Sequence, residues 1–196
     1  YAGIATALFE RERTGVGRMV EAAMQEALYP ALASNIASLQ RNNWQQPARR
    51  GNRHPTQGSA PYNVYPCADG HIAIICVNET HWTSLLRVIG REDLADDERF
   101  ATQSTRARHE NAVDGVVASW VAKLPKAEAA RILKEHRVPA APVRDLVEVT
   151  ADAHMHARGM LHNIDHSEMG AIVLPTSPLR FSGSPTPAIR PEPAIG

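Results

Sequence analysis

Helical periodicity stops at Gln46 and does not resume until after Asn78, and this break constrains the chain more than any other feature. From Gln46 to Pro61 the run QPARRGNRHPTQGSAP consists of turn formers and polar groups, in which proline and glycine punctuate the backbone instead of continuing a helix or strand. Directly beyond it, YNVYPCADGHIAIICV sets two β-prone runs around Ala68, Asp69 and Gly70. An Asp-Gly pair between such runs signals a hairpin, because the tight turn needs positive φ. The chain is therefore expected to hold a helical region up to residue 45, a linker over 46–60, and a second domain opening on a hairpin at 61.

Around this break the periodicity is mostly helical. Residues 2–13 place Ile4, Ala5, Leu8 and Phe9 on one face of a helix stopped by Thr14 and Gly15. The following TGVGR holds two glycines but neither a full GxGxxG nor a GxxxxGKS, so it reads as a turn. From Arg18 the pattern is one long helix, kinked at Pro30, where the ring clashes with the preceding turn. After Asn78, Trp82, Leu85, Leu86 and Ile89 predict a helix ending at Gly90. Further helices are predicted over 104–122 and 126–136, then an extended stretch passing into a short helix at VPAAPVRDLVEV. DAHMHARGML reads as helical, NIDHSEMGAIVLP as a hairpin turning near Met169 and Gly170, and the tail from Thr176 is rich in proline.

Charge and cysteine usage narrow the function classes. Lys+Arg 21 balance Asp+Glu 21 over 196 residues, so the basic field of a nucleic-acid binder is missing. No apolar run approaches a membrane span. Cys67 and Cys76 are the only cysteines and neither has a partner at metal-ligand spacing, so reduced thiols in a cytoplasmic protein are expected. The chain opens on Tyr1 inside an amphipathic pattern, and a fragment or processed chain is the corresponding expectation.

Several residues invite a chemical reading. His154 and His156 form an HxH, but residues two apart on a helix diverge by about 200 degrees, so no metal site is expected, and His162 and His166 read as solvated. A nucleophilic serine would need a GxSxG elbow or a positioned base, and Ser182 in RFSGSP fits neither. Arg49, Arg50 and Arg53 are either a local anion contact, such as a cofactor phosphate, or a solvated linker. Glu79 either complements the dipole of the helix it opens or serves as a base or substrate-orienting group.

Taken in order, GIATALFERERTGVGRMVEAAMQEA, RRGNRHP with APYNVYPCADGHIAI, IGREDLADDERFAT, RVPAAPVRDLVEV, HARGML and PLRFSGSP resemble the class III CoA-transferase family. That family includes formyl-CoA transferase, crotonobetainyl-CoA:carnitine CoA-transferase and α-methylacyl-CoA racemase. The resemblance implies an α/β fold: part of a Rossmann-like large domain, a smaller α+β domain joined by linkers, and two chains interlocked as a homodimer. Residues 1–45 would close the first large-domain segment, 61–150 form the small domain, and 151–196 return toward the large one. RMVEAAM matches a short strand in relatives, which moves the helix start to Met24.

The same resemblance implies acyl-CoA and carboxylic acid substrates, with coenzyme A thioester as substrate and no separate cofactor, metal, nucleic acid or membrane. An aspartate carboxylate would attack the donor thioester and carry CoA as an aspartyl thioester. The match puts that aspartate upstream of Tyr1, so the isolated chain is expected to be inactive. Met24 matches a methionine close to the active site. The loop Arg53–Ala60 matches a glycine-rich loop that closes over the aspartate, here with Gly58 alone at its centre, which nominates Gln57, Gly58 and Ser59 for substrate binding. Glu79 aligns with a glutamate that supports the catalytic histidine in the racemases. A racemase of the same fold and a non-catalytic dimerising half-chain are the alternatives.

Overall fold

The computed structural model describes residues 1–45, 49–53, 58–183 and 189. The chain divides into two compact units, Tyr1–Ala141 and Pro142–Gly196.

The first unit opens with helix α1 (Ala2–Thr14), which ends where Gly15, at φ 73°, donates its N–H to Arg11 O at 2.8 Å. Residues 16–23 carry no regular structure. Helix α2 (Met24–Leu28) follows, then a 3-10 turn at Tyr29–Leu32 and helix α3 (Ala33–Arg41). Pro30 accounts for the tightened turn, because it lacks the N–H that would continue the α-helical ladder. The helix expected from Arg18 is thus corrected to a start at Met24, with Ala23 extended at φ −85° and ψ 132°. The short strand implied over RMVEAAM is not formed, since a strand exists only by pairing and none of the described strands pairs there. None of the three helices buries a residue.

The core of this unit begins at strand β1 (Tyr62–Cys67), which pairs antiparallel with β2 (Gly70–Ile75); β3 (Ala140–Val143) adds at the β2 edge. Ile75 N–H reaches Pro139 O at 3.1 Å. Cys67 pairs with Gly70, so the hairpin turns on Ala68 and Asp69, and Gly70 opens the second strand. The expected Asp-Gly turn with positive φ is displaced by one residue, and neither turn residue has positive φ. Contacts from distant sequence set this register: Ala68 N–H donates to Leu124 O at 3.0 Å, and Asp69 Oδ1 accepts from Lys126 N–H at 2.7 Å. A Cβ on Gly70 would lie 3.1 Å from Lys126 Cδ.

Helices cover the inner sheet face. Helix α4 (Glu79–Ile89) starts where Asn78 accepts from His81 N–H at 2.9 Å and stops at left-handed Gly90, burying Trp82, Leu85 and Leu86. Helix α5 (Gln103–Arg108) begins with a capping box of Thr102 and Thr105, and α6 (Glu110–Val121) buries Val113, Val117 and Val121. The single helix expected over 104–122 is broken at His109, whose φ −112° and ψ 30° leave the helical region. Helix α7 (Lys126–Glu135) adds Ala129 and Leu133. These side chains close on Tyr65, Ile72, Ile74, Leu94, Phe100 and Val138 as one core. Each large apolar side chain buried there contributes about 1.5–3 kcal/mol relative to exposure.

In the second unit, helix α8 (Leu146–Thr150) is capped reciprocally by Asp145 and Glu148. Helix α9 (Ala153–Ala157) starts on Asp152, which accepts from His154 and Met155 N–H at 2.8 and 3.1 Å. Strands β4 (Leu161–His166) and β5 (Gly170–Pro175) form a hairpin in which His166 pairs with Gly170, at φ 70°.

Candidate functional site

Two helix starts and the residues Ser59 and Ala60 converge in the first unit. Because Asn78 caps α4, Glu79 stands in its first turn; because Thr102 caps α5, Gln103 is the first residue of that helix. Glu79 Oε1 accepts from Gln103 N–H at 2.9 Å, and Oε2 lies 2.8 Å from Arg106 Nη1. Arg106 is fully buried. Its Nε donates to Ala60 O at 3.1 Å, its Nη1 to Phe100 O at 2.9 Å, and its Cζ sits 5.0 Å from the centroid of the Trp82 ring. Arg106 Nη2 is buried without a hydrogen-bond partner among the described residues. Ser59 Oγ donates to Cys76 O at 2.8 Å and accepts from Gln103 Nε2 at 3.0 Å.

The electrostatics follow from these contacts. The hydrogen bond from Arg106 holds the Glu79 carboxyl below the usual carboxylate range, against a smaller opposing effect of burial. A carboxylate kept anionic in this way is a poor proton acceptor near neutrality. Burial pushes the Cys76 thiol up to about 12, so it stays protonated and unreactive, and Cys67 is also raised by burial.

Arg50 and Arg53 are engaged elsewhere. Arg50 pairs with Glu110; Arg53 reaches Glu110 at 3.2 Å, Asn111 at 3.0 Å and, through Nε, Asp114 at 2.8 Å. Asp114 also accepts from Tyr65 OH at 2.6 Å and from Asn63 Nδ2 at 3.0 Å. Burial, followed by the Asp114 hydrogen bond, raises the Tyr65 phenol far above its ordinary value. Arg50 and Arg53 are thus not solvated side chains, since carboxylates of α6 match their charge, while Arg49 is exposed. Glu110 and Asp114 stand four residues apart on one helix face, a legible signal that the sequence reading did not use.

The other nominated residues separate. Met24 opens α2 with 88% exposure and does not belong to the Ser59–Glu79 network. Gly58 is exposed, and a Cβ there would meet nothing within 4 Å. Gln57 lies outside the described residues. In the second unit, the His156 ring bonds Thr150 O at 2.8 Å and the His162 ring Gly159 O at 3.0 Å. His166 Nδ1 accepts from Glu168 N–H at 3.1 Å. Among the described residues no helix is long and apolar enough to cross a membrane. An apolar groove of about 360 Å³ lies on the sheet face bearing Tyr62, Val64, Ala73 and Ile75, with Ala141 at its side.

Comparison with known proteins places this geometry in a family. The chain is 33% identical over 192 residues to a succinyl-CoA:mesaconate CoA-transferase of Haloarcula hispanica, covering 96% of this chain and 46% of that protein. It is 32% identical to a formyl-CoA:oxalate CoA-transferase of Streptomyces avermitilis, covering 94% of this chain and 48% of that one. A crystal structure of a CaiB/BaiF family protein from Brucella suis superimposes with a TM-score of 0.76 at 30% identity, over 95% of this chain and 47% of its own. The chain spans about half the length of the curated relatives it matches. The family model for CoA-transferase family III matches residues 1–196, and the chain belongs to that family.

Proposed function

We propose that this chain works in a class III CoA-transferase that moves CoA between two carboxylic acids, with the nucleophilic aspartate supplied from outside these 196 residues. The family match across the whole chain carries the reading. In the proposed cycle an aspartate carboxylate attacks the donor thioester carbonyl and CoA thiolate leaves, giving a mixed anhydride. The thiolate then attacks the aspartyl carbonyl, the donor carboxylate departs, and an aspartyl-CoA thioester remains. The acceptor carboxylate attacks this thioester in turn, and the released thiolate takes the acceptor acyl group, restoring the aspartate. Covalent catalysis divides the exchange into easier steps when backbone donors stabilise each oxyanion.

In this reading Met24 and the Gln57–Ser59 segment face the acyl group, and residues 61–150 form the small domain of a cytoplasmic homodimer. Glu79 supports the site as an anionic anchor.

The test compares the chain alone with the chain extended by the coding sequence preceding Tyr1, each given succinyl-, acetyl- or formyl-CoA and a panel of carboxylates. Acceptor thioesters formed only by the extended protein, with a covalent protein–CoA adduct seen by mass spectrometry, are expected. Transfer by the chain alone would remove the external aspartate from the reading. Deuterium exchange at the acyl α-carbon without CoA transfer would establish the racemase instead.

A further inference from the structure

We propose that Gln103 is a positioning residue of the acyl site, acting with Arg106 one turn later to lock the end of the linker to Glu79; this rests on the CoA-transferase reading above. Each of these two α5 residues holds both partners. Gln103 gives its side-chain amide to Ser59 Oγ at 3.0 Å and its backbone N–H to Glu79 at 2.9 Å. Arg106 gives Nε to Ala60 O at 3.1 Å and Nη1 to Glu79 at 2.8 Å. Residues three apart share a helix face, so α5 presents a double clamp to two successive linker residues and one carboxylate.

The clamp exceeds what folding requires. Helix α5 starts on the Thr102–Thr105 box, and the Glu79 carboxylate takes the remaining Gln103 N–H, so the Gln103 side-chain amide is additional to the helix start. A fully buried arginine whose Nη2 has no hydrogen-bond partner among the described residues carries a desolvation cost that its bonds to Ala60, Phe100 and Glu79 must offset. What the guanidinium supplies is direction: a fixed fork that sets the Ala60 carbonyl relative to Glu79. The Ser59 hydroxyl is likewise oriented, its proton on Cys76 O and its lone pair on Gln103. Gly58 and Ser59, which bear on the acyl group in the reading above, therefore leave a stem whose geometry α5 dictates.

The experiment measures CoA transfer by the protein extended upstream of Tyr1, as wild type, Gln103→Glu, Ser59→Ala and the Gln103→Glu/Ser59→Ala double variant. Gln103→Glu keeps the shape and the backbone N–H but removes the side-chain donor. About a tenfold fall in kcat is expected for Gln103→Glu and for Ser59→Ala, with KM for acyl-CoA nearly unchanged. The double variant loses no more than either single. Wild-type turnover in Gln103→Glu, or single losses that multiply in the double variant, overturns the proposal. Absence of transfer by the extended wild type overturns the CoA-transferase reading itself. Amide exchange then judges the clamp separately: unchanged exchange at Ser59 and Ala60 in Gln103→Glu overturns it, and faster exchange supports it.

Discussion

Arg106 and Glu79 form an ion pair of unequal partners: Nη1 and Oε2 are 2.8 Å apart, yet the arginine side chain is 0% exposed and the glutamate 56%. Removing the buried partner strands the Ala60 and Phe100 carbonyls as well as the carboxylate. Arg106→Ala is expected to destabilise the fold by about 3–5 kcal/mol, and Glu79→Gln by clearly less, because water can reach the glutamate. Urea unfolding of both variants measures the difference.

The same pair fixes a pH dependence. The Glu79 carboxyl is held low in the folded chain, chiefly by the Arg106 hydrogen bond, so the folded state binds fewer protons there than the unfolded state. Its stabilisation is complete above the ordinary glutamate value of about 4.3 and is lost as pH falls through the lower folded value. The stability gap between wild type and Glu79→Gln is therefore expected to be constant from pH 7 to 5 and to shrink below pH 4. Unfolding midpoints across that range read it; a gap that widens in acid contradicts the assignment.

Asp114 gathers Tyr65, Asn63 and Arg53 onto one carboxylate. Tyr65→Phe removes one hydrogen bond to a charged group in a residue that is 2% exposed, with an expected loss of about 1.5–3 kcal/mol. Asp114→Ala should cost more and loosen Arg53, which then keeps only Glu110 and Asn111. Faster tryptic cleavage after Arg53, compared with Tyr65→Phe, is the accompanying readout.

Helix α7 borrows its cap from the hairpin turn. Pro125 has no side-chain acceptor to offer, and Asp69 Oδ1 takes the Lys126 N–H across 57 residues of sequence. Asp69→Ala is expected to cost about 1 kcal/mol, and Asp69→Asn much less because the amide oxygen still accepts. Thermal unfolding distinguishes the two.

Arg137 follows α7 at φ 58° and is exposed. A side chain there bears the left-handed penalty that glycine escapes, so Arg137→Gly should raise stability by about 0.5–1 kcal/mol. An unchanged or lowered urea midpoint would contradict it.

Short-range sterics impose periods of 3.6 and 2, and these were legible in the sequence: Trp82, Leu85 and Leu86, Val113, Val117 and Val121, and the Ile72–Ile74 alternation all face the core. The ordered motifs likewise disclosed the family. The break at His109 was hidden because Arg106, Val113, Val117 and Val121 keep helical spacing across it. Hairpin register was off by one residue because Leu124 and Lys126 place the turn, not Asp69-Gly70 alone. Ser59 and Glu79 could be nominated singly, but the α5 residues that join them could not. Which donor meets which acceptor across 44 or 46 residues of chain is decided only when the helices pack and desolvate those groups together.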